Sequence, residues 1–531
     1  MSLSEKASRS PSPTSSVPLN DLEANSERSP ASVDGFSASQ TFASHQESEL
    51  PIKDLSDSWP DYLDDFLEKL GIFLTPSFLQ HRVGGQPPQL SKLHGIAALD
   101  GLRGWACLLV FNFHFLFTYT WKVSVGWGFP GDNFGILQFP IFHLLISGHI
   151  MVAIFFVISG YVLSYKPLKL CRSRSWEQTF NVLASSTFRR GLRLYIPSLV
   201  GISLVVLAVR AGVYDYAKEV IDEGHTIQGT NEQHPPIFKT WYLQYWSWHY
   251  EVAELFNFWH WEMYFNYYNP HLWTIPVEFR CSIVLFVTIL ATSRLVAAVR
   301  MTLVCGLIWF CTRWGRWDVI LFLSGMLMAE LDLIYGTWER SSTEEKSTSS
   351  TPNSLKEYFQ MSGWKWWIAI FIFGLYLGSS PNTGFKWTPF YMWLWELTPE
   401  YYRDPDRFPQ SLGAILIVFS INHSKEVQRL FTNPLSQYLG KISYAFYIVH
   451  GPILHSLGYS IMPSIWNTVG KETNFQYCLG FLIGWLICLP VSIWAGDIFW
   501  RAVDIPSVKF ARWIEAKITA NPTEQKNGHV P

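Results

Sequence analysis

The chain has 531 residues, 49% of them apolar and only 15% charged, against the quarter usual for a soluble globular protein. A formal net charge of −2 gives no basic excess, so bulk electrostatics point to no nucleic-acid partner. Seven cysteines lie mostly in or beside apolar runs and form no CxxC pair, which argues against a disulfide or metal framework and for small core residues.

Residues 1–56 are rich in Ser and Pro and too weakly apolar to offset the entropy of ordering, so a disordered tail is expected. Ser10, Ser12 and Ser29 precede prolines there and are candidate phosphorylation sites or simply part of an inert tail. No apolar h-region follows the start, so no cleavable signal peptide is expected. The stretch 57–92 reads as an amphipathic helix and linker. Trp59, Tyr62, Leu63, Phe66 and Leu70 recur at helical spacing, Asp61, Asp64, Asp65 and Glu68 take the other side, and Ser58 and Pro60 suit the helix start. Its acidic face favours packing on the protein over anionic headgroups.

Over 93–505 apolar runs recur, centred near residues 112, 155, 202, 284, 305, 326, 372, 415, 446 and 487. They predict an all-α polytopic membrane protein with about ten transmembrane helices. The loop after the second run carries Lys166, Lys169, Arg172, Arg174, Arg189, Arg190 and Arg193, which places it in the cytosol. An even number of spans then puts both termini in the cytosol, and Arg501, Lys509, Arg512 and Lys517 at the start of the C-terminal tail, 506–531, agree. The segments near 211–272 and 381–408 fall on the outer or lumenal side. The sequon Asn422-His423-Ser424 falls on the cytosolic side, so no glycan is expected there.

Ionisable residues inside spanning helices are costly unless they face protein or water, so four places stand out. In LDGLRGWACLLVFNFHF, Arg103 and His114 are eleven residues apart, three helical turns plus roughly 20°, so they share a face roughly 16 Å apart along the axis. Asp100 lies close to that face. Arg103 is either a cytosolic-side anchor or part of a site, and His114 either an interhelical hydrogen bond or a base. Glu278, in NPHLWTIPVEF, either complements a helix dipole or polarises a histidine. Arg189, Arg190 and Arg193 either meet lipid headgroups or hold the phosphates of a cytosolic nucleotide cofactor. His450, before Pro452, is structural or site-lining. The aromatic outer loop holds His234, His249, His260 and His271 near Glu251 and Glu262, but without HExxH spacing, so no metal is expected. Its aromatic residues suit a membrane interface or a lid over an apolar acceptor site.

Taken in order, these motifs resemble the acyltransferase-3 family of integral membrane O-acyltransferases over residues of about 95 to 505. The resemblance rests on Arg103 with His114, Phe155-Phe156-Val157-Ile158-Ser159-Gly160-Tyr161, Arg189-Arg190 with Arg193 and Pro197, Leu272-Trp273-Thr274-Ile275-Pro276-Val277-Glu278, and Leu439-Gly440 through His450. Thr274, Pro276 and Arg280 depart from the family pattern. The resemblance implies His114 as catalytic residue, acting either as base or as transient acyl carrier, with Glu278 and Arg103 as helpers, Arg189, Arg190 and Arg193 for the donor, and Asp100, Ser159, Trp273 and His450 lining the site. It implies acyl-CoA, most simply acetyl-CoA, as co-substrate rather than a bound cofactor, and a hydroxyl acceptor. The acceptor suggested by similar fungal proteins is a small apolar secondary metabolite, in an endomembrane such as the endoplasmic reticulum. Glycan or sterol O-acetylation, a transporter of acylated small molecules and a catalytically inert scaffold are the rival readings; the matching broken-helix repeats a transporter would show are not evident.

Overall fold

The computed structural model describes residues 59–84, 96–222, 227–336, 355–402 and 404–519. The Ser/Pro-rich tail with Ser10, Ser12 and Ser29 lies outside them, as do most of the linker after residue 84 and the last residues of the C-terminal tail. The chain divides into two units, Met1–Asp65 and Phe66–Pro531, and the second holds every one of the ten apolar runs.

Among the described residues all regular structure is helical. The expected amphipathic helix is α1, Trp59–Leu74. The ten apolar runs fall on α2 (Ala97–Phe117), α3 (Gly148–Arg172), α4 (Trp176–Arg210), α5 (Thr274–Thr292), α6 (Ala297–Arg313), α7 (Trp317–Tyr335), α8 (Leu355–Gly378), α9 (Arg407–His423), α10 (Pro434–Ile453) and α11 (Asn474–Phe499). A final helix, α12, spans Ile505–Ile518. Among the described residues four stretches are long and apolar enough to cross a bilayer: α3, α4, Pro270–Thr292 and Asn474–Ile518. Several such helices in one chain mark an integral, multi-pass membrane protein. All seven cysteines are free.

Two helices carry most of the site. α2 contains no proline and ends where Thr118 Oγ1 turns back to donate to the His114 carbonyl at 2.8 Å. α10 starts on Asn433, whose Oδ1 accepts from Ser436 N at 2.9 Å, with Pro434 in the first turn where no amide is missed. The two helices cross with backbones in contact. A Cβ on Gly104 would lie 2.5 Å from Gly440 N, and one on Gly440 would collide with the Asp100 carbonyl oxygen. These glycines set the approach that brings the His114 and His450 rings within 5.5 Å of each other, centre to centre. Beyond Pro452, which lacks a donor, the helix widens into a π turn over Leu454–Gly458 that carries His455.

Several other buried charges are compensated. Glu330 of α7 accepts from Arg300 at 2.8 Å and Arg172 at 3.2 Å, and Asp318, at the other end of α7, pairs with Arg280 at 3.3 Å and with Arg316. Such pairing is what makes charge tolerable inside an apolar bundle. Arg280, which departs from the family pattern, is thus held by Asp318 and by the Trp261 ring. Asn422 of the sequon is buried, its Nδ2 donating to Asp332, so it is not presented to a glycan. Ser77 N and Oγ donate to Asp497, which ties the segment after α1 to α11.

Candidate active site

The polar residues on α2 open into two cavities. The first, about 170 Å³, is lined by Asp100 and Arg103 of α2, Ser159 of α3, Arg190 and Arg193 of α4, and Glu278 of α5. Arg103 lies 3.5 Å from Asp100, one helical turn away. Glu278 Oε1 accepts from Arg190 Nη2 at 2.7 Å and from Ser159 Oγ at 3.0 Å. Arg189, Arg190 and Arg193 also line an adjoining cavity of about 220 Å³ with Arg512, where Arg189 pairs with Glu515 at 3.2 Å. This arginine cavity therefore gathers Arg103, Arg190, Arg193, Glu278, Asp100 and Ser159, five of them from motifs far apart in the chain. One expectation fails here. Glu278 polarises no histidine: its partners are Arg190 and Ser159, because α5 turns its carboxylate toward α4 and α3 instead of the upper part of α2.

The second cavity, about 590 Å³, holds His114, Glu232, His271 and Trp273 among aromatic rings that include Phe113, Phe117, Trp121 and Phe129. Val110 and Val152 line both cavities. At its floor one buried carboxylate meets three histidines. Glu232 Oε1 lies 2.7 Å from His114 Nδ1 and 3.3 Å from His271 Nε2, and Oε2 lies 2.8 Å from His455 Nε2. Burial by itself would raise the Glu232 pKa, but His271 and His114 beside it hold it well below the usual carboxylate range. An ionised carboxylate only accepts, so each of those ring nitrogens carries the proton. In the neutral ring of His114 the lone pair is therefore on Nε2. His450 Nδ1 donates to the Tyr447 carbonyl at 2.7 Å, which likewise leaves its Nε2 a buried acceptor without a partner among the described residues.

Ligand atoms of His114, His271 and His450, one from each, lie within 4.8 Å of one another, a spacing that by itself would admit a cation. The His114 and His271 centroids, 3.9 Å apart, are closer than the roughly 5 Å of two imidazoles on one tetrahedral zinc, which argues for proton chemistry at His114. His271 and His455, 5.3 Å apart beside Glu232, match the zinc spacing. Of the outer-loop residues read from the sequence, His271 alone among the four histidines joins this cluster; Glu251 accepts from Tyr264 Oη at 2.9 Å and Tyr267 N at 3.0 Å.

Sequence reasoning missed Glu232 and His455. Glu232 lies on a loop that enters the bundle from the end of α2. Gln228 N and Gly229 N both donate to the Thr118 carbonyl, at 2.8 and 3.2 Å, and Tyr459 Oη donates to the Glu232 carbonyl at 2.8 Å. A Cβ at Gly229 would lie 2.8 Å from Phe117 O and from Glu232 Cγ, and Asn231 takes the left-handed conformation, φ 62°, that Asn tolerates. The residue pattern Gly-Thr-Asn-Glu over 229–232 is the one local signal, since it combines turn formers with a carboxylate.

Comparison with known proteins adds an independent line. A family model described as an acyltransferase domain matches residues 96–501, more than half of the chain. The chain is 32% identical over 484 residues to the O-acetyltransferase PaAT-1 of Phomopsis amygdali, covering 86% of this chain and 90% of that protein. It is 25% identical over 450 residues to the acyltransferase clz18 of Cochliobolus lunatus, covering 77% and 93%. No solved structure matches the chain significantly.

Proposed function

We propose, from the premise that this chain belongs to the acyltransferase-domain family and is an acyltransferase, that it moves an acetyl group from acetyl-CoA to a hydroxyl of a small, largely apolar acceptor of fungal secondary metabolism. The observation that carries this reading is His114, held by Glu232 with its Nε2 lone pair available, in a cavity walled by aromatic rings. His114 Nε2 takes the proton of the acceptor hydroxyl as its oxygen bonds to the thioester carbonyl carbon. The carbon–sulfur bond then breaks, and the CoA thiolate leaves and takes up that proton. Glu232 stabilises the imidazolium formed in between and fixes its tautomer, a positioning role.

Arg103, Arg190 and Arg193 suit the phosphates of CoA, because a guanidinium fork matches phosphate oxygens. Glu278 orients Arg190, and Asp100 orients Arg103. The valines shared by the two cavities support a donor that enters on the arginine side and extends its thioester toward His114. This reading takes the ten apolar helices as ten spans, with both termini and the arginine cavity cytosolic, in an endomembrane. Trp273 lines the acceptor side, and His450, its Nε2 buried, lies close to His114 without lining either cavity.

The test is label transfer from radiolabelled acetyl-CoA in membranes expressing wild type or His114→Ala at matched levels, with a metabolite extract as acceptor. Label in an extractable product with wild type and its loss in the variant is the expected result. Equal label with both proteins would remove His114 from the chemistry.

A further inference from the structure

The histidine cavity has a second polar pole, which the acid–base chemistry does not use. Arg407, at the start of α9, lines this cavity and is 6% exposed. Its Nε donates to Asp404 Oδ2 at 2.7 Å, and among the described residues its side chain makes no other hydrogen bond. The guanidinium carbon stands 4.3 Å from the centre of the Trp317 ring and 5.8 Å from that of Trp273. A carboxylate at one edge and an indole on one face fix its plane, so its two terminal nitrogens form a preorganised fork with no acceptor among the described residues.

Asn382 lines the same cavity. Its Oδ1 accepts from Gln410 Nε2 at 3.0 Å and Ser147 Oγ at 3.1 Å, which settles which end of the amide is which. That leaves Nδ2 a buried donor without a partner among the described residues. A buried N–H without an acceptor costs stability, and its retention beside an unfilled arginine fork calls for an acceptor brought by a ligand.

We propose that Arg407 and Asn382 form an oxygen-binding pole that selects acceptors carrying a carbonyl or carboxylate oxygen remote from the hydroxyl to be acylated. The inference rests on the acyl-transfer reading of this cavity. Phe113, Phe117, Trp121 and Phe129 take the apolar body, His114 takes the hydroxyl proton, and the pole takes the far oxygen. An acceptor is thereby aligned at two ends, and one lacking the second oxygen leaves buried donors unpaired. That is how a site rejects an analogue that differs by one polar group.

The experiment offers membranes labelled acetyl-CoA and a library of hydroxylated terpenoids, in which each keto-alcohol and each hydroxy acid is paired with the plain alcohol of the same skeleton. Products are separated by mass. Wild type is expected to favour the oxygenated member of pairs by about tenfold or more in kcat/KM. Arg407→Leu is expected to bring that ratio near one, and Arg407→Lys, which keeps the charge but loses the fork, to restore part of it. Asn382→Asp removes the donor at constant size, so it narrows the ratio even if Arg407→Leu fails to reach the membrane. The keto and acid pairs separate the two oxygen sources, since a preference confined to the hydroxy acids assigns a carboxylate and one confined to the keto-alcohols a carbonyl. Labelling by wild type without preference, or a preference unchanged in variants present at wild-type levels, overturns the proposal. No label from any alcohol with wild type overturns the acyl-transfer reading beneath it, a different failure.

Discussion

The two cavities along α2 use charge in opposite ways. In the arginine cavity each carboxylate meets arginine: Glu278 is held by Arg190 and Asp100 by Arg103, so positive charge, from two helices, outnumbers negative. In the histidine cavity, away from the Arg407–Asp404 pair, one carboxylate, Glu232, is shared by three imidazoles. The first arrangement suits holding a polyanion, which needs fixed charge. The second suits moving a proton, which needs a neutral base in one tautomer. A carboxylate's role follows from what it faces: Glu278 and Glu232 are the same side chain with different work.

The difference can be broken at several points. The largest effect is expected at the base. His114→Ala should lower kcat by about 10²- to 10⁴-fold with the protein still present in membranes, as single-turnover label transfer would measure. Loss of charge in the other cavity should act on the donor instead. Arg103→Ala or Arg193→Ala should raise the KM for acetyl-CoA by about tenfold with a smaller change in kcat, because each removes a charge-assisted contact worth about 1.5–3 kcal/mol. Initial rates against donor concentration check this, and added salt should exaggerate it.

A subtler effect concerns pH. The Glu232 pKa is depressed in the folded state, so its contribution to stability is full above the unfolded carboxylate value near 4.3 and is lost as pH falls through the lower folded value. Thermal unfolding in detergent should therefore show an acid-side loss of stability, below about pH 4, that is smaller in Glu232→Gln than in wild type. The smallest expected effect is that of metal removal. Prolonged treatment with a chelator should leave label transfer within about twofold of the untreated rate, since the geometry at His114 suits proton transfer over ligation. A loss restored by added zinc would reassign the histidines as ligands.

How much of the site was legible in the sequence differs between the cavities for a physical reason. The arginine cavity is built from residues on helices, where a period of 3.6 fixes the face of each side chain. Arg103, Arg190, Arg193 and Glu278 could therefore be singled out one by one, and Ser159 through the family resemblance, although which of them meet was not readable. The partner of Glu278 stayed open for that reason, since pairing depends on how α3, α4 and α5 pack. The histidine cavity depends on chain that has no periodicity. Glu232 sits on a loop strapped to the end of α2 by the Thr118 carbonyl, and His455 sits on a π turn after Pro452. Neither leaves a repeating pattern, so His114 was visible and its carboxylate partner was not. The apolar runs, by contrast, all fall on helices, because burial in this fold is written in long uninterrupted stretches.

The central claim is that Glu232, and not Glu278, serves the catalytic histidine. It is tested most directly by comparing Glu232→Gln with Glu278→Gln in the same membranes, at matched protein levels, measuring kcat and the KM for acetyl-CoA separately. A glutamine at 232 keeps one carbonyl acceptor but replaces the other oxygen by an amide donor among imidazoles that already donate, and it carries no charge to stabilise an imidazolium on His114. The account predicts a fall in kcat of at least about 10²-fold for Glu232→Gln with little change in donor KM, and mainly a raised donor KM for Glu278→Gln. A collapse of kcat in Glu278→Gln with near-normal turnover in Glu232→Gln would contradict it.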